Sequence, residues 1–97
     1  MEMKVIFPGE KKVDALFNGY IVRTDQPVAD GGEGTAPSPF ELFLASIATC
    51  AGFYVQEFCL QRKISADQVS LVLTTEKNQT TGLVGKIRLE INLPPSF

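Results

Sequence analysis

An uncharged run of fifteen residues, Leu42 to Gln56 ("LFLASIATCAGFYVQ"), constrains this chain more than any other feature. Ser38, just ahead of it, suits a helix N-cap, and Pro39 suits the first helical position, where a missing N–H is no loss. Glu41 falls where a capping-box acid reaches back to the cap. From there the pattern predicts a helix running to about Arg62 or Lys63. Leu42, Phe43, Leu44, Ile47, Phe53, Tyr54 and Val55 spread over nearly every side of it. A helix that is apolar all round is buried. Ala45, Ser46, Ala48, Ala51 and Gly52 are small enough to let another element approach closely. The helix is therefore expected at the centre of the fold or between subunits.

Strands are predicted on both sides of the helix. Met1, Met3, Val5 and Phe7 alternate with Glu2, Lys4 and Ile6, a half-buried pattern stopped by Pro8-Gly9. Val13, Ala15 and Phe17 form the next alternation. Asn18-Gly19 then gives a strong hairpin signal, because a type I′ turn needs positive φ at both central residues. Tyr20 to Thr24 is the return strand, and "PVADGGEGTAPSP" (Pro27 to Pro39) is a loop. After a turn around Ser65 to Asp67, Val69, Leu71 and Leu73 alternate, and the polar loop Lys77 to Gly82 reverses the chain. Leu83, Ile87, Leu89, Ile91 and Leu93 face one side of the last strand, ended by Pro94-Pro95. The predicted class is α+β, antiparallel, in the order β-β-β-α-β-β, as one domain over residues 1–97.

Several functions are disfavoured by what the chain carries. A net charge of −2 gives no electrostatic footprint for nucleic acid. There is no histidine, which removes His-assisted catalysis and His-ligated metal, and two cysteines cannot build a four-thiolate zinc site. No metal or cofactor is expected. Fifteen uncharged residues are too few to span a bilayer, and no basic segment precedes an apolar one at the N-terminus. A cytoplasmic protein without membrane attachment is expected. The loop "GGEGTAPS" lacks the Gly-Lys-Ser/Thr ending of a phosphate cradle, and Asp30 and Glu33 would repel phosphate. A flexible connection to the helix is the plainer reading.

Cys50 and Cys59 remain. A free cysteine is often a small core residue. Cys50 lies about eleven residues past the helix start, beyond the reach of the dipole at the first turn. Activation of its thiol would have to come from a cation on a loop or another subunit. Cys59 is nine residues further on, about half a turn out of phase and roughly 13 Å along the axis. A Cys50–Cys59 disulfide within one helix is therefore excluded. Glu41, nine residues before Cys50, cannot touch that thiol either.

The stretch "DGGEGTAPSPFELFLASIATCAGFYV" resembles the signature of the OsmC/Ohr family of thiol-dependent peroxide-handling proteins. The preceding "LFNGYIVRTDQP" and following "VSLVLTTEK" are similar to that family in order. The resemblance implies an intertwined homodimer with Ala48, Ala51, Gly52 and Phe53 near the contact. It also implies that Cys50 is the peroxidatic thiol, attacking an organic hydroperoxide. Arg23 is, by region, the candidate activating arginine. Phe40 stands at the family's usual glutamate position, and Glu41 matches the adjacent structural one. The resolving cysteine belongs to a C-terminal portion beyond this short chain, so an external thiol would be the reductant. Cys50 is expected to line a pocket reached past the Asp30–Pro37 loop, with Cys59 protected. The alternative is a non-catalytic OsmC-like scaffold that binds a small apolar ligand or serves as a dimeric module.

Overall fold

A computed structural model of the chain describes residues 1–94. Its elements are β1 (Lys4–Gly9), β2 (Lys12–Phe17), β3 (Tyr20–Thr24), a 3₁₀ turn (Val28–Asp30), α1 (Pro39–Gln61), β4 (Ser70–Lys77) and β5 (Val84–Asn92). The α+β order is the one the alternation patterns predict. Internal contacts divide the chain into two units, residues 1–44 and 45–97.

In the first unit, β1, β2 and β3 form an antiparallel sheet in that order. The β2–β3 hairpin pairs Phe17 with Tyr20 and Val13 with Thr24. Asn18 and Gly19 take φ of 50° and 80°, as the primed turn requires. Phe17 and Tyr20 close the hairpin with ring centroids 5.9 Å apart. The register of β1 on β2 slips between Ile6 and Gly9, where Pro8 has no N–H to give a ladder. The expected half-burial of Met1, Met3, Val5 and Phe7 is not found. All four are exposed, and Ile6 is the less exposed side chain of β1.

In the second unit, β4 and β5 form a two-stranded antiparallel sheet. Leu71 pairs with Ile91, Leu73 with Leu89 and Thr75 with Ile87, so one face is apolar. The other face carries Val72, Thr74, Arg88 and Glu90. The connecting loop is pinned by Asn78, whose Oδ1 accepts from the Thr80 and Thr81 amides at 2.8 and 3.1 Å.

The helix α1 begins as its sequence dictates. The Ser38 amide donates to Glu41 Oε1 at 3.0 Å, and the Glu41 amide donates to Ser38 Oγ at 3.2 Å, a reciprocal capping box. It ends at Gln61, one or two residues before the predicted end. Lys63 turns to φ 55°, its amide donates to the Leu60 carbonyl, and the Ile64 amide donates to the Cys59 carbonyl. That pair of bonds is a Schellman stop. Twenty-three residues give roughly 34 Å of helix. Its best 18-residue window has a mean hydropathy of 1.4, so by length and composition α1 is long and apolar enough to cross a membrane. The uncharged run alone is shorter, because Glu41 and Glu57 bracket it.

Candidate functional site

The loop between β3 and α1 is a built structure, in contrast to the flexible connection its composition suggests. Asp25 is completely buried. Its Oδ1 accepts from the Gln26 amide at 2.7 Å, and its Oδ2 accepts from the Thr35 amide at 3.1 Å and the Thr35 hydroxyl at 2.6 Å. The Asp25 amide donates to the Pro37 carbonyl at 3.1 Å, and the Gly34 amide to the Gln26 carbonyl at 3.0 Å. The hydrogen bond from the Thr35 hydroxyl, then those from the backbone amides, hold the Asp25 carboxyl at about 2, below the usual 3.8. Gly32 passes so close to Gln26 that an added Cβ would lie 2.0 Å from its carbonyl oxygen. Lys12 ties the loop to β2 through an ion pair with Glu33, and this partner raises the Lys12 ammonium above its ordinary value. Sequence reading missed Asp25. Its only signal is an acid between a strand and the Gly-rich loop.

The two cysteines occupy different surroundings. Cys50 is exposed on α1, and Cys59 is buried at 1% exposure. This is what half a turn of phase difference requires. One helical turn on either side of Cys50 stand Ser46, Ile47, Phe53 and Tyr54, none of them cationic. Thr49 beside it turns its hydroxyl back to the Ala45 carbonyl at 2.8 Å, so a polar side chain sits in the apolar helix with its proton satisfied. Phe53 and Tyr54 meet edge to face with centroids 5.5 Å apart.

An apolar cavity of about 360 Å³ lies within the second unit, lined by Tyr54, Val55, Phe58, Cys59, Ile91 and Leu93. It is Cys59 that lines this cavity. Ile91 and Leu93 come from β5 and the residue after it, more than thirty positions beyond Cys59, which is why helix periodicity could not reveal the site. Arg62, one turn on, lays its guanidinium over the Phe58 ring at 3.8 Å.

Arg23 belongs to β3 in the first unit, where it lines a polar cavity with Lys12, Asp14 and Thr35. Cys50 belongs to the second unit. Glu41 is occupied as a helix cap, and Phe40 stacks on Phe43 at 6.2 Å. Among the described residues no group of three or more His, Cys, Asp or Glu side chains could hold a metal ion.

The family model described as OsmC-like protein matches residues 32–96, which spans most of the loop, all of α1 and both strands of the second hairpin. Among solved structures the chain is similar to a crystal structure from Psychrobacter arcticus 273-4, described as an osmotic stress induced and detoxification response protein. The two are 22% identical with a TM-score of 0.77, over 97% of this chain and 73% of the other. At that identity the likeness is one of fold. Among curated proteins, none matches this chain.

Proposed function

Because the chain belongs to the OsmC-like protein family, we propose that it is a thiol protein of stress defence that reduces organic hydroperoxides through Cys50. The observation that carries this reading is the contrast between two thiols of one helix, one open to solvent and one sealed. Only an accessible sulfur can meet a peroxide. As thiolate, Cys50 attacks the terminal oxygen of R–O–OH. The O–O bond breaks, the alkoxide leaves and takes up a proton as the alcohol, and Cys50 becomes a sulfenic acid. An external thiol then condenses with the sulfenic acid to a mixed disulfide and water. A second thiol displaces Cys50 and restores it. Cys59 cannot act as resolving partner from the other side of the same helix.

The reading includes a homodimer acting in the cytoplasm. Phe53 and Tyr54 are 55% and 68% exposed in the single chain, and Phe43 and Leu60 are exposed as well. Aromatic area of this kind gains about 25 cal/mol per Å² when removed from water, and a second copy of α1 set toward Gly52 and Phe53 would cover part of it while leaving the Cys50 face open. Gly52, with open space where a Cβ would stand, allows that close approach.

A second reading has an observation of its own: the apolar cavity at Cys59 is suited to a small apolar ligand. The two separate on thiol labelling. A small alkylating reagent should modify Cys50 in the folded protein and reach Cys59 only on unfolding. Equal protection of both would remove the peroxide reading, and faster labelling of Cys59 would move the functional face to the cavity.

A further inference from the structure

We propose that the cavity of the first unit is a binding site for a small zwitterion, whose ammonium end meets the Asp14 carboxylate and whose anionic end meets the Arg23 guanidinium. The cavity measures about 260 Å³, on the order of eight or nine water volumes. That suits a free amino acid and is too small for a nucleotide.

The assignment comes from asking which lining groups are already engaged. Lys12 is held by Glu33. The Thr24 hydroxyl donates to the Val13 carbonyl at 2.5 Å, and the Thr35 hydroxyl donates to Asp25. Both Asp25 oxygens are taken within the loop. Two charged groups of opposite sign are left over. Asp14 is 8% exposed, and among the described residues its carboxylate has neither a hydrogen bond nor an ion pair. No side-chain oxygen among those residues is both sealed and unsatisfied. The carboxylate of this mostly buried residue therefore opens into the cavity that it lines. A carboxylate that opens into a cavity without a protein partner is free to take a charge-assisted hydrogen bond from an ammonium.

Arg23 is the directly opposed partner of Asp14 in the β2–β3 register, so the two project on one face. They nevertheless form no ion pair with each other. A simple anion would bring its charge against Asp14, and a simple cation would bring its charge against Arg23. A molecule carrying both charges satisfies both. Pro8 and Ala36 supply short apolar walls that leave little room for a long side chain. Cys50 is not among its lining residues.

The test is an amide chemical-shift titration of the full chain with glycine, β-alanine and γ-aminobutyrate, which step the charge separation outward. Acetate and methylammonium serve as single-charge controls. One of the three zwitterions should give saturable shifts at Lys12–Ala15, Arg23–Thr24 and Thr35–Ala36, binding roughly tenfold or more tighter than either control. Asp14→Asn and Arg23→Gln should each weaken it by roughly tenfold or more. Arg23 is exposed, so its variant stays folded and informative even where Asp14→Asn does not. The proposal is overturned if no zwitterion saturates, if acetate binds as tightly as the best of them, or if Arg23→Gln leaves the affinity unchanged.

Discussion

The two units of this chain solve the problem of burial in opposite ways. The first, residues 1–44, closes around polar groups that, Asp14 apart, find their partners nearby. Asp25 collects three donors from its own loop, Thr24 bonds back to β2, and Lys12 fastens the loop to the sheet. The second, residues 45–97, gathers apolar side chains around Cys59. Among the described residues its one fully buried hydrophobic side chain is Cys59, while aromatic side chains of α1 stand in solvent. A hydrogen-bonded loop is completed by a dozen residues of its own sequence. An apolar helix needs area, and a two-stranded hairpin supplies too little of it. Stability of the first region is thus expected to be local, and stability of the second to depend on assembly.

The sharpest way to break this comparison is at Gly32. An alanine there puts a Cβ against the backbone of Gln26, which cannot swing aside. Gly32→Ala should cost about 3 kcal/mol, near the upper end of overpacking effects, measured by urea denaturation, and should leave the oligomeric state unchanged. Gly52→Leu tests the other half. Nothing in the single chain lies within 4 Å of a Cβ at Gly52, so the protomer should keep its circular dichroism. The proposed dimer should weaken by roughly 100-fold, seen by sedimentation equilibrium. A wild-type chain that is a folded monomer at micromolar concentration would remove the assembly half of the comparison outright.

Ser38→Ala should cost about 1 kcal/mol, since it takes away the acceptor for the Glu41 amide. The last effect is confined to acid pH and comes from titration of Asp25. Its folded value is about 2, against 3.8 for an ordinary aspartate. A lowered carboxyl contributes its stability in full above 3.8 and loses it as the pH falls toward 2. Asp25→Asn should flatten the acid limb of the stability profile between those values and do nothing to its shape above about pH 5. An unchanged acid limb would mean that the buried carboxylate does not hold the loop.

What could be read from sequence was the chemistry whose partners are close in the chain. The Ser38–Glu41 box and the Asn18-Gly19 turn each need only their own few residues, and both are found as expected. The β-β-β-α-β-β order followed from alternation and one long apolar run. Asp25 was invisible because its partners, Thr35 and Pro37, lie ten and twelve positions away and neither residue type announces a buried acid. The Cys59 cavity was hidden for the same reason, its far wall coming from β5. The exposed face of β1 was misread because alternation reports which side chains share a face, not whether anything covers it.

The central claim is that Cys50 alone carries the peroxide chemistry. Intact-mass analysis of the protein, Cys50→Ser and Cys59→Ser after brief exposure to cumene hydroperoxide tests it most directly. The wild-type chain and Cys59→Ser should gain oxygen at Cys50, reversibly with a dithiol at low peroxide and irreversibly in excess. Cys50→Ser should gain none beyond sulfoxide at the exposed Met1 and Met3. Dithiol-reversible oxygen addition that persists in Cys50→Ser, or that disappears in Cys59→Ser, would contradict the account.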